Sequence, residues 1–116
     1  MSTFVLIAKT TVGASGAGNI IFSSIPSTFT DLCIKYSIRD NHSGVVDTVL
    51  GCYINGVGYP DSTESYRTLY GTGSAAGSAN NSGYYIQIGY STSANATANT
   101  FSNGEIYIPN YAGSTY

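Results

Sequence analysis

A chain of 116 residues with 11 tyrosines, 14 glycines and no tryptophan is long enough for one domain with its own core. Charged residues make up only 9% of it, and the net charge of −2 comes from six acids and four bases that form no cluster. That balance argues against a nucleic-acid partner, which needs a basic surface for counterion release, and the scarcity of helix formers argues against a helical fold.

The amino-terminal stretch Met1–Lys9 has no basic leader, and its apolar run is too short for a signal peptide or a membrane span. Phe4–Thr11 therefore reads as a first strand, closed by the flexible loop Val12–Gly18, and Asn19–Ser23 reads as a short second one. Ile25–Thr30, with Pro26, Ser27 and Thr28, is turn chemistry. It delivers the chain into the longest alternation in the sequence, expected as a central strand over about Asp31–Arg39. Leu32, Ile34, Tyr36 and Ile38 point one way there, while Cys33, Lys35, Ser37 and Arg39 point the other.

Asp40–Gly44 reads as a turn whose Asp, Asn and Gly tolerate positive φ, so Val45–Ile54 is expected to pair back as a hairpin. Asn55–Ser65 reads as a longer loop and Tyr66–Tyr70 as a strand. Gly71–Gly83 is an uncharged low-complexity connection. Tyr84–Tyr90 is a further strand, followed by a second low-complexity segment, Ser91–Asn99. The last strand is Phe101–Ile108, with Ile106 and Ile108 facing in and Glu105 and Tyr107 facing out. Pro109, which lacks an N–H, ends it. The tail Asn110–Tyr116 is turn chemistry that leads to no strand, so either a neighbouring subunit completes it or the domain is a shortened one. The sum is an all-β chain: a single antiparallel β-sandwich domain over 1–116, jelly-roll-like, with about seven to eight short strands.

Cys33 falls on the polar face of its strand, whereas Cys52 falls with Leu50 and Ile54 on the buried face of the next. Side chains on opposite faces of a sheet do not bridge without a register change, so two free thiols are expected, as suits synthesis in a reducing cytoplasm.

No constellation reads as catalytic. The single histidine, His42, sits in a solvated turn without the packing that a nucleophile's base needs. Asp40, Asn41 and Asp47, or Asp61 and Glu64, supply oxygen ligands but lack the spacing of a calcium loop, and ordinary turn capping accounts for them better. Glu64 and Glu105 are the only glutamates, and Glu105 is better used in a cross-strand pair with Lys35, Arg39 or Lys9. Neither Gly13–Gly18 nor Gly71–Ser74 precedes a helix, so no phosphate cradle is expected, and no cofactor or metal with it. The tyrosines are more informative, because a large apolar ring with a polar tip suits protein interfaces and sugar grooves alike. Tyr84, Tyr85, Tyr107, Tyr111 and Tyr116 are the interface candidates. The lack of tryptophan weakens the sugar version.

Three stretches carry a resemblance: Ser23-Ser-Ile-Pro-Ser-Thr-Phe-Thr-Asp-Leu32, Leu69-Tyr-Gly-Thr-Gly-Ser74 and Glu105-Ile-Tyr-Ile-Pro-Asn-Tyr-Ala-Gly-Ser114. Together they resemble a family of small virion structural proteins of tailed bacteriophages, over roughly Val5–Thr115. The resemblance implies a non-enzymatic virion component, either a capsid decoration (cement) protein or a head or tail appendage subunit. Such a protein would be made in the host cytoplasm and sit on the virion surface. Its expected partners are other virion proteins and itself, as a homo-oligomer, with neither nucleic acid nor membrane involved. The alternative is a receptor-binding module of a tail fibre that recognises host surface glycans.

Overall fold

Strands form where alternation or β-prone residues meet a partner able to complete the backbone hydrogen bonds. The computed structural model describes residues 4–55, 64–83 and 85–113, and among them the chain is all-β with no helix. Its strands are β1 (Leu32–Ile38), β2 (Asp47–Cys52), β3 (Glu64–Gly71), β4 (Ala76–Gly83), β5 (Ile86–Thr92) and β6 (Ser102–Ile108). They form three two-stranded sheets, β1 with β6, β2 with β5 and β3 with β4. The chain divides into two compact units, Met1–Lys35 with Glu105–Tyr116, and Tyr36–Gly104.

The facing of the best-patterned strands follows the sequence. In β1, Leu32, Ile34, Tyr36 and Ile38 are half-buried while Lys35 and Ser37 are exposed. In β6, Ile106 and Ile108 turn in and Glu105 and Tyr107 turn out. Lys35 Nζ and Glu105 Oε2 meet at 3.0 Å, the expected cross-strand pair. Both side chains are largely exposed, so solvent screens the pair and its worth is small. Cys33 and Cys52 are both free and half-buried.

Four expectations change. Phe4–Thr11 and Asn19–Ser23 have strand-type sequences but form no strand, because a strand exists only against a ladder partner and the chain supplies none there. The hairpin expected between the segments before and after Asp40–Gly44 does not close: β1 and β2 belong to different sheets. The carbonyls of His42, Val45 and Val46 instead accept bonds from the N–H groups of Ala94, Asn95 and Ser93, which lays this connection along the segment after β5. Conversely, Gly71–Gly83 is not a loop throughout, because β4 runs through it, paired antiparallel with β3 from Glu64 opposite Gly83 to Gly71 opposite Ala76. Finally, Tyr84–Tyr90 is displaced by two residues at its far end, since β5 continues to Thr92.

The turn that makes the β3–β4 hairpin is written locally. Thr72 N–H donates to the Ala75 carbonyl at 2.8 Å, and the Ala75 N–H donates back to Thr72 Oγ1. Gly73 takes the φ of +85° that closes the turn. In the β2–β5 pair, Leu50 faces Gly89 and Gly51 faces Gln87, so Ile88 is the extra residue of a bulge.

No apolar side chain among the described residues is buried; only Ser91 and Ser93 are, Ser93 completely. Contact area comes instead from tyrosine rings lying over glycines, once in each sheet. A Cβ on Gly104 of β6 would run into the Tyr36 ring of β1, and one on Gly77 of β4 would meet the Tyr70 ring of β3 at 2.7 Å. One on Gly51 of β2 would meet the Tyr85 ring, beside β5, at 3.0 Å. A glycine leaves room for a ring to approach the backbone where a side chain would collide with it, which gives the high tyrosine and glycine counts a shared structural use.

Candidate interaction surface

Two polar clusters and two runs of exposed apolar side chains stand out. In the unit Met1–Lys35 with Glu105–Tyr116, the lead-in to β1 and the turn after β6 are fastened by one carboxylate. Tyr107 Oη donates to Asp31 Oδ2 at 2.5 Å, and the Asn110 N–H donates to Asp31 Oδ1 at 2.8 Å. The phenol and then the amide hold the Asp31 carboxyl below its ordinary pKa, and the same bond pushes the Tyr107 phenol up. The Tyr111 N–H donates to the Thr30 carbonyl at 3.2 Å, and Tyr111 Oη donates to the Pro26 carbonyl. Asn110 adopts a left-handed φ of +49°, a conformation asparagine tolerates, and so turns the chain back toward Asp31.

The unit Tyr36–Gly104 has its own hub at Asp40. Ser91 Oγ and Ser93 Oγ both donate to Asp40 Oδ2, the second at 3.0 Å. The His42 N–H donates to Oδ1 at 2.8 Å, and Thr48 Oγ1 lies 2.7 Å from Ser93 Oγ. Partial burial pushes the Asp40 carboxyl up, but bonds from Ser91, the His42 amide, Ser93 and Thr48 outweigh it and leave the pKa lowered. Next to it, Arg39 spends its guanidinium on main chain: Nη1 donates to the carbonyls of Thr97 and Thr100, and Nη2 to those of Ala94 and Ala96. A planar fork of donors suits four carbonyls on one short loop.

These clusters are architectural. His42 is exposed and contributes only its backbone to the Asp40 hub. Glu105 is engaged with Lys35. No group of three or more His, Cys, Asp or Glu side chains is gathered as metal ligands among the described residues; of the oxygen ligands considered, Asp61 lies outside them. Burial raises the Cys52 thiol, and burial with the Glu105 charge raises that of Cys33, which disfavours the reactive thiolate at both. An open groove along the β3–β4 hairpin is lined by Ser65, Tyr66, Arg67 and Asn80–Ser82.

Of the five tyrosine candidates, Tyr84 and Tyr116 lie outside the described residues. Tyr85 is half-buried and packs edge-to-face on Tyr53, centroids 6.4 Å apart. Tyr107 keeps an exposed ring although its hydroxyl is held by Asp31, and Tyr111 is half-buried. Sequence reasoning passed over two runs of exposed apolar side chains: Phe4 (72% exposed), Val5, Leu6 (78%) and Ile7 in succession, then Ile20, Ile21 (78%) and Phe22. The available signal was the same apolar run that read as a first strand.

The chain matches no family model, no curated protein and no solved structure.

Proposed function

We propose that this chain is a non-enzymatic structural protein of a bacteriophage virion, a capsid decoration (cement) protein or a head or tail appendage subunit. It sits on the virion surface, contacts other virion proteins and copies of itself, and completes a β-sandwich in that setting. The observation that carries the reading concerns two of the stretches bearing the resemblance, Ser23–Leu32 and Glu105–Ser114. Asp31, Tyr107, Asn110 and Tyr111 tie them to one another by hydrogen bonds, so the shared motif is a folding unit rather than scattered similarity. Exposed apolar side chains in succession at Phe4–Ile7 add support, since large apolar patches mark interaction surfaces.

The assembly reading is preferred over glycan binding. A sugar site needs a concave cluster of rings beside Asp or Asn, whereas Tyr107 and Tyr111 commit their hydroxyls to Asp31 and Pro26. Antibody labelling and mass spectrometry of purified particles test the proposal. The protein is expected on the particle surface at a fixed copy number. Its absence from particles, or binding of immobilised host glycans by the isolated protein, would overturn it.

A further inference from the structure

We propose that Phe4–Thr11 of one copy adds as a strand to a free sheet edge of a second copy, each copy both giving and receiving an arm. Donor and acceptor are both present in this one chain. The donor is a strand-type segment, Phe4-Val-Leu-Ile-Ala-Lys-Thr-Thr11, with four apolar residues exposed in succession. Its backbone is unpaired: among the described residues before Thr30, the only main-chain bond is from the Gly16 N–H to the Gly13 carbonyl. The acceptors are the sheets, each two-stranded among the described residues, so that their strands have unladdered edges there, apart from Thr92 of β5, which also bridges Arg39. A two-stranded ribbon is marginal in water, and a third strand with an apolar face is what makes it stable. Open edges beside an unpaired strand-former are the standard condition for strand addition between chains.

Charge does not oppose the contact, since the arm carries only Lys9 and the chain's net charge is −2. A second copy is the fitting occupant because the one chain carries both the arm and the open edges, and reciprocal exchange closes the assembly with no arm left over.

The inference is independent of the particle and is tested on the purified full chain. Sedimentation with light scattering should show a dimer or larger closed oligomer. Hydrogen exchange should show amides of Phe4–Thr11 that gain protection as concentration rises from sub-micromolar to sub-millimolar. Leu6→Asp should weaken association by about a hundredfold or more and abolish that protection, with the β-sheet circular dichroism retained. A monomer at every concentration overturns the proposal, as does an oligomer whose Phe4–Thr11 amides exchange freely. Should Leu6→Asp be insoluble, exchange on the unaltered chain decides alone. An arm that stays unpaired in solution but becomes protected on a different virion protein would also overturn the exchange, while leaving the particle reading in place.

Discussion

The loop Ala94–Thr100 and the arm Phe4–Thr11 are opposite cases. The loop has no large apolar side chain, yet four of its carbonyls are held by Arg39 and its approach is fixed through Ser91 and Ser93 on Asp40. The arm has the apolar residues that usually order a chain, yet no ladder partner among the described residues. Here order follows satisfied main-chain and hydroxyl groups rather than hydrophobicity, because without a buried apolar core there is nothing for an apolar arm to join. Ser91 and Ser93, the only buried residues among those described, occupy the place that Val or Leu would fill in an ordinary small domain.

The sharpest way to break this comparison is Asp40→Ala. It strands the buried hydroxyls of Ser91 and Ser93 and the His42 amide, and should cost about 2–4 kcal/mol in urea unfolding. A loss no larger than that of a surface substitution would mean that the loop is ordered some other way. Gly104→Ala follows, at about 1–3 kcal/mol, because the new methyl must displace the Tyr36 ring. Arg39→Lys keeps the charge but loses the fork. It should cost about 1 kcal/mol and selectively raise hydrogen exchange in Ala94–Thr100.

Acid should reach the same hub more gently. The folded pKa of Asp40 lies below its unfolded value, so its contribution is complete above about pH 4 and is lost as pH falls through the folded value. Thermal melts between neutral pH and pH 2 should therefore show a loss confined to the acid end that Asp40→Asn reduces, the remainder belonging to Asp31 and Glu105, whose carboxyls are also held below their ordinary range. The smallest effect is expected in the arm region: Ile21→Thr, measured at concentrations where the chain is monomeric, should leave the unfolding midpoint unchanged within about 0.5 kcal/mol. A clear destabilisation there would show that the exposed stretch is held within a single copy after all.

Alternation made β1 and β6 legible in the sequence, including the facing of Ile106 and Ile108 and the Lys35–Glu105 pair. It works where one face is shielded and the other wet. β4 was hidden because Ala76–Gly83 has no side chain large enough to make a pattern; its pairing rests on the Thr72–Ala75 turn and on Tyr70 covering Gly77. The arm failed in the other direction, since strand propensity is local and a ladder partner is not. The Asp40 hub joins residues up to 53 positions apart. Asp, Ser and Thr are so common in turns that no spacing announces such a cluster.

The rings laid over Gly104, Gly77 and Gly51 have a spectroscopic consequence. The circulating electrons of an aromatic ring shift the resonance of protons held close to it. The α-protons of these three glycines should therefore resonate away from the usual glycine range in a magnetic-resonance spectrum. Because the sequence has no tryptophan, no indole competes for that effect. Each sheet thus carries its own internal reporter of strand pairing.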